Sequence, residues 1–157
     1  MATRNGRPLA RVAGVCVVAL ATLMAGVMPA SASGGVLDRA DYIMNQPYRQ
    51  FAEIAAGREA PFDWTSDGCS YMPDTGGWKN YFKLVCAQHD FGYRNYGGRG
   101  QLKLDPDDDR REWIDDRFRE ELKRACDSDG AQGELSACQG VADAMYAATR
   151  LAGGLFF

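Results

Sequence analysis

The cysteines constrain this 157-residue chain most, once it is clear which of the five belong to the folded protein. Arg4, Arg7 and Arg11 form a positive leader, and Val12 to Val27 is uncharged and mostly apolar. Ala30-Ser31-Ala32 then places small residues at the two positions a signal peptidase reads. That order is a secretory signal peptide over residues 1–32, with cleavage expected after Ala32. A membrane anchor fits less well, because the apolar run is short for a span and ends at Pro29. Cys16 does not suit lipidation, since it lies inside the apolar run and follows the bulky Val15. It leaves with the leader. Cys69, Cys86, Cys126 and Cys138 remain, in a single domain of 125 residues over 33–157. An even number in a small secreted chain reads as disulfides. Three pairings are possible. Cys69–Cys86 with Cys126–Cys138 is preferred, because each bridge would tie a loop to a neighbouring helix. Bridges of this size contribute about 3 kcal/mol each. Zinc is the competing use of four cysteines, but no close Cys-x-x-Cys pair occurs.

Charge excludes one class of partner. Without Arg4, Arg7 and Arg11, the 18 basic residues fall to 15 against 21 acidic, a net charge of −6. No basic footprint for nucleic acid is present, and strong steering to anionic lipid is not expected.

Hydrophobic spacing gives a mostly helical chain. Val36 to Met44 is a short helical pattern with Leu37, Ala40 and Met44 on one face. Asn45 and Gln46 before Pro47 read as a cap and first turn for a second helix, ending at Gly57. Ala60 to Gly77 is broken by proline and glycine and reads as loop. Trp78 to Tyr96 reads as one strong helix. On it Phe82, Val85, Tyr93 and Tyr96 lie within about 40° of His89. Asp90 lies about 100° round, and Phe91 and Arg94 point mostly away. After a glycine-rich connection, Asp105 is the expected cap and Pro106 the first turn of a helix to about Cys126. Its stripe is Ile114, Phe118, Leu122 and Ala125, extended by the stem of Arg111. Asp115 stands about 60° from Phe118 and Asp116 about 160° away, so only Asp115 suits a neighbouring helix. A last helix, about Leu135 to Leu151, carries Val141, Ala144, Met145 and Ala148. An apolar end, Leu155 to Phe157, follows it.

His89 is the sole histidine, the one side chain with an unperturbed pKa near neutrality. Two antiparallel helices can pack it against Asp115. A carboxylate accepting one ring N–H fixes the tautomer and leaves the other nitrogen as a base. No Gly-x-Ser-x-Gly elbow is present, and Ser66 and Ser70 lack a supporting motif, so the base has water as its natural substrate. Asp90 turns to another side. With Asp67 and backbone carbonyls of the Asp67–Cys69 loop it suits a hard cation, and calcium takes such mixed oxygen ligands. Asp105, Asp107 and Asp109 imitate the start of an EF-hand, but Arg110 stands where that loop needs glycine, so the run reads as helix capping.

Cys86-Ala-Gln-His89-Asp90-Phe-Gly-Tyr-Arg-Asn-Tyr96 resembles the active-site helix of secreted phospholipase A2, in its bacterial and fungal branch. The animal branch has a double cysteine before the His-Asp pair and a long glycine-rich calcium loop, both missing here. The likeness runs from about Phe62 to Cys138 and includes the Phe62–Cys69 loop, the downstream aspartate and the four cysteines in order. It implies a small all-α, disulfide-stabilised fold with two long antiparallel central helices. It implies a calcium-dependent enzyme that cleaves the sn-2 ester of glycerophospholipids at a membrane or micelle surface. By position it makes His89 the base, Asp115 its orienting partner, and Asp90, Asp67 and the carbonyl of Gly68 the calcium ligands. Glycine at 68 departs from the larger apolar residue usual there. The expected protein is an extracellular monomer with no protein partner.

Overall fold

Two helices of unequal length carry the architecture, and both are amphipathic for reasons written in their spacing. The computed structural model describes residues 30–70, 72, 76–128 and 135–157, together with Met1. The expected signal peptide therefore falls almost wholly outside the described residues. The elements are α1 (Ala30–Met44), α2 (Tyr48–Ala56), α3 (Trp78–Tyr81), α4 (Lys83–Tyr96), α5 (Asp108–Ser128) and α6 (Leu135–Ala152), closed by a short 3₁₀ turn over Gly153–Leu155. Among the described residues there is no strand, and no helix is long and apolar enough to cross a membrane. The fold is the expected all-α, disulfide-stabilised one.

α4 and α5 form an antiparallel pair. Tyr96 meets Trp113, His89 meets Asp115 and Phe118, and in α3, just before α4, the Tyr81 hydroxyl donates to the Ala125 carbonyl, so partner numbers rise as these numbers fall. Gly92 lets the two backbones approach. A Cβ there would stand 2.7 Å from Ile114 Cγ2, beside Asp115.

α4 is buried on two sides. One core lies between α4, α5 and α6 and includes Phe82, Val85, Phe118, Leu122 and Ala142. The other lies between α1, α2, α4 and the start of α5, and includes Ile43, Phe51, Phe62, Phe91 and Ile114. Phe91, expected to point away from the apolar face, is instead 1% exposed and packs on Phe51 and Trp64. The expectation failed because it assigned α4 a single partner. α4 meets helices on opposite sides, so two faces must be apolar.

The expected Trp78–Tyr96 helix is interrupted at Phe82, whose φ of −90° and ψ of 4° end α3 and precede α4. Phe82 is fully buried and packs against the rings of both Trp78 and Tyr81, which also touch each other. α5 starts two residues later than Asp105 capping would place it. The cap is Asp107, whose Oδ1 accepts the Arg110 N–H at 2.7 Å, while Asp105 pairs with the Arg110 side chain. On α6 the buried stripe is Cys138 and Ala142, with Ala144 and Ala148 exposed.

Asn45 and Gln46 close α1 rather than open α2, since their side-chain amides donate to the carbonyls of Asp41 and Tyr42. The start of α2 is served from α5. Glu121, 1% exposed, accepts the Tyr48 N–H at 2.9 Å and pairs with Arg117 and Arg124. Glu121→Ala would remove the acceptor of the buried Tyr48 N–H and one of the two carboxylates that Arg117 pairs with, the other being Glu120. We expect it to cost about 2 kcal/mol, read as a fall in Tm with little change in catalysis. Glu121→Gln, which keeps one acceptor, should cost less.

The structure joins Cys69 to Cys86 and Cys126 to Cys138, with Cα–Cα distances of 5.5 and 5.7 Å. The first bridge fastens the 60s loop to α4. The second fastens the end of α5 to α6.

Candidate active site

His89 emerges where the two cores meet. Its ring lies 4.3 Å from Tyr93, a member of one core, and 4.5 Å from Phe118, a member of the other. Helical spacing puts Tyr93 one turn beyond it on the same face. These rings fix the plane of the imidazole. Its Nε2 lies 3.0 Å from Asp115 Oδ1.

Asp115 is fully buried, and the four side chains that hydrogen-bond it are all donors. Oδ1 faces His89 and accepts the Tyr93 hydroxyl at 2.8 Å. Oδ2 accepts Arg111 at 3.2 Å and Arg150 at 3.0 Å. Burial by itself would raise its carboxyl pKa. The hydrogen bonds from His89, Tyr93 and Arg150 outweigh burial and hold the group below its ordinary range. Asp115 is therefore an anion and can only accept. The proton of a neutral His89 ring must then sit on Nε2, which leaves the lone pair on Nδ1. Tyr93, next to that anion and buried, is pushed well above the usual phenol range and stays a donor. Asp116 lies on the exposed side, where it accepts the Tyr146 hydroxyl of α6.

Asp90 faces the 60s loop, not Asp115. Its Oδ2 accepts the Ser66 hydroxyl at 2.6 Å and the Asp67 N–H at 3.1 Å. Burial raises its pKa and the neighbouring Asp67 carboxylate adds to this, against the Ser66 hydrogen bond. Asp67 is exposed and lies 3.3 Å from Arg94. Gly68 turns the loop with φ +68°, a conformation that suits glycine. Asn95, fully buried on α4, holds the loop in place: it accepts the Asp63 N–H and donates to the Asp63 carbonyl.

Among the described residues no three His, Cys, Asp or Glu side chains converge as a metal cluster. A cation here would draw on Asp90, Asp67 and backbone carbonyls. The donor chemistry fits a hard cation, because Asp90 Oδ2 accepts the Asp67 N–H at 3.1 Å and so brings a second carboxylate-bearing residue and the loop carbonyls beside it.

The sequence-predicted residues thus form two adjoining groups, His89 with Asp115 and Asp90 with the Asp67–Gly68 loop. Sequence reasoning missed four others. Tyr93 and Arg111 had a signal, since each lies four residues along a helix from the group it supports. Asn95 and Arg150 had none, because their partners are distant in the chain.

A model of the prokaryotic phospholipase A2 family matches residues 39–153, a span that holds the whole site. The chain belongs to that family. As a phospholipase A2 relative it is a hydrolase acting on phospholipid esters. It is 34% identical over 139 residues to a secretory phospholipase A2 of Beauveria bassiana (strain ARSEF 2860), covering 87% of this chain and 67% of that one. It is 38% identical over 65 residues to a secretory phospholipase A2 of Arthroderma benhamiae (strain ATCC MYA-4681 / CBS 112371), 41% of this chain and 40% of that one.

Proposed function

We propose that the protein is a secreted, calcium-dependent phospholipase A2 that cleaves the sn-2 ester of glycerophospholipids to a fatty acid and a lysophospholipid. The observation that carries this is the His89 Nε2–Asp115 Oδ1 contact of 3.0 Å, with Asp90 one residue away facing the Asp67 loop. His89 Nδ1 takes a proton from water as the oxygen attacks the ester carbonyl. Asp115 keeps the ring in the Nε2–H form and stabilises the imidazolium that develops. When the tetrahedral intermediate collapses, the same Nδ1–H returns the proton to the leaving glycerol oxygen. Phe118 and Tyr93 cover the ring and limit its motion.

Asp90, Asp67 and the Gly68 carbonyl are the residues we assign to calcium. Bound there, the ion would supply Lewis-acid stabilisation for the phosphate and the oxyanion. The Cys69–Cys86 bridge holds this loop against α4, so cation and base keep a fixed separation.

The lipid-facing side follows from exposure. Leu151, Leu155 and Phe156 are exposed apolar residues at and just beyond the end of α6. Phe157 instead docks on Tyr93, with ring centres 5.2 Å apart, and so links that end to the site. A separate apolar groove, lined by Phe51, Ala52, Trp64, Leu84 and Ala87, lies on the opposite side of α4 from His89. The signal peptide over 1–32 and a monomeric catalytic domain over 33–157 complete the reading. Secretory relatives support its extracellular placement.

Fatty-acid release from phosphatidylcholine vesicles tests the function. We expect release with calcium, near-complete loss in chelator, and recovery when calcium is restored. Asp90→Asn should lower calcium affinity severalfold or more in direct titration, with activity falling in parallel. Full activity in chelator would overturn the metal assignment, and release from sn-1 alone would overturn the positional one.

A further inference from the structure

Asp115 does more than accept from His89, and its second oxygen points to a role for the last helix. Oδ2 is held by two guanidinium groups, Arg111 from its own helix at 3.2 Å and Arg150 from α6 at 3.0 Å. Each arginine is anchored outward as well. Arg111 Nε pairs with Asp108 at 2.8 Å, and Arg150 Nη2 pairs with Glu112 at 3.1 Å. Asp108, Arg111, Asp115, Arg150 and Glu112 thus form a chain of alternating charge that runs from solvent into a fully buried carboxylate. Four of the five lie on α5. Arg150 alone comes from elsewhere.

A carboxylate pinned through one oxygen can still rotate about its Cβ–Cγ bond. Two cations on Oδ2 remove that freedom, and Oδ1 is then left aimed at His89 and Tyr93. Arg111 sits four residues before Asp115, so the helix itself keeps it in reach. Arg150 depends on α6 being docked, and the Cys126–Cys138 bridge fastens the start of that helix to α5.

We propose that Arg150 is a positioning residue: by pairing with Asp115 Oδ2, together with Arg111, it makes the docked C-terminal helix a condition for a correctly oriented His89. This rests on the function proposed above for its kinetic consequence but not for its structural one. Arg150 is partly exposed, so replacing it does not open a cavity in the core.

Arg150→Gln and Arg150→Lys are compared with the unaltered protein, both for vesicle hydrolysis and for the ¹⁵N spectrum of the His89 imidazole at pH 8. Arg150→Gln is expected to lower kcat about tenfold, with KM, calcium affinity and vesicle binding within twofold of the unaltered protein. Arg150→Lys should recover much of the loss. The Nε2–H signal should be a single sharp resonance in the unaltered protein and should shift and broaden in Arg150→Gln, where the carboxylate that accepts it is free to turn. An unchanged imidazole spectrum in Arg150→Gln overturns the proposal, whatever the activity does. So does a loss of kcat that Arg150→Lys fails to rescue while the spectrum stays fixed. If the unaltered protein releases no fatty acid, the function reading fails and the spectrum still decides this inference.

Discussion

His89→Asn should abolish hydrolysis while leaving the protein folded and able to bind lipid. The variant has no group at this position that can take a proton near neutral pH, and proton transfer by a placed base contributes about 10²–10⁴ in rate. We expect kcat to fall by about 10³-fold or more. Two ring contacts are lost, to Tyr93 and Phe118, so Tm should drop, by an amount matching about 1 kcal/mol per contact. The decisive measurement is fatty-acid release at saturating calcium, beside thermal unfolding and vesicle sedimentation of the same sample. Activity within tenfold of the unaltered protein would remove His89 from the mechanism.

Asp115→Asn is the other large effect, and its cause is different. Arg111 and Arg150 require an acceptor at the Oδ2 position. In asparagine only one atom accepts, so the amide oxygen turns to the arginines and the NH₂ group faces His89. The ring must then accept at Nε2 and carry its proton on Nδ1. The lone pair that should meet water is lost, although every side chain remains in place. A tautomer error of this kind has a measured precedent of about 10⁴ in kcat in serine proteases, and we expect about 10³ or more here. Asp115→Ala separates geometry from stability. It strips the acceptor from two arginines, each of which keeps one outer carboxylate. The cost is about 3 kcal/mol, or a Tm lower by about 10 °C.

Acid stability should follow the same residue. In the unfolded chain the Asp115 carboxyl titrates near 3.8, and in the folded protein it titrates lower. Folding therefore favours the ionised form. The resulting stability is present above about pH 4 and is lost as pH falls below 3.8 through the folded value. Asparagine does not titrate, so Asp115→Asn should flatten that part of the acid unfolding curve.

The metal assignment and the base depend on different parts of the site. Asp90 and the Asp67 loop can fail without disturbing His89, because Asp90 bonds Ser66 and Asp67 and shares no hydrogen-bond partner with Asp115. Chelation should therefore leave the imidazole tautomer unchanged, even where it stops hydrolysis.

The chain's own order of residues determined the helices, the different directions in which His89 and Asp90 face, and the difference between Asp115 and Asp116. Each of these is a local matter. Spacing of 3.6 residues per turn puts His89 among Tyr93 and Val85, and it sends Asp116 outward. Local spacing also misled where an element meets more than one neighbour. Phe91 looked misplaced only because α4 was given one partner. Asp105 looked like the cap of α5, yet the Arg110 side chain takes it and leaves the role to Asp107.

Tertiary structure alone decided how Asp115 is held from outside its own helix. Arg150 lies 35 residues from Asp115 in sequence, on a helix with no other link to the base in its pattern. Glu121 lies 73 residues from the N–H it satisfies, and Asn95 lies 32 from the loop it fastens. Nothing in periodicity or composition marks such pairs. A buried charge must find its partners wherever packing brings them, and packing is settled by the whole chain at once.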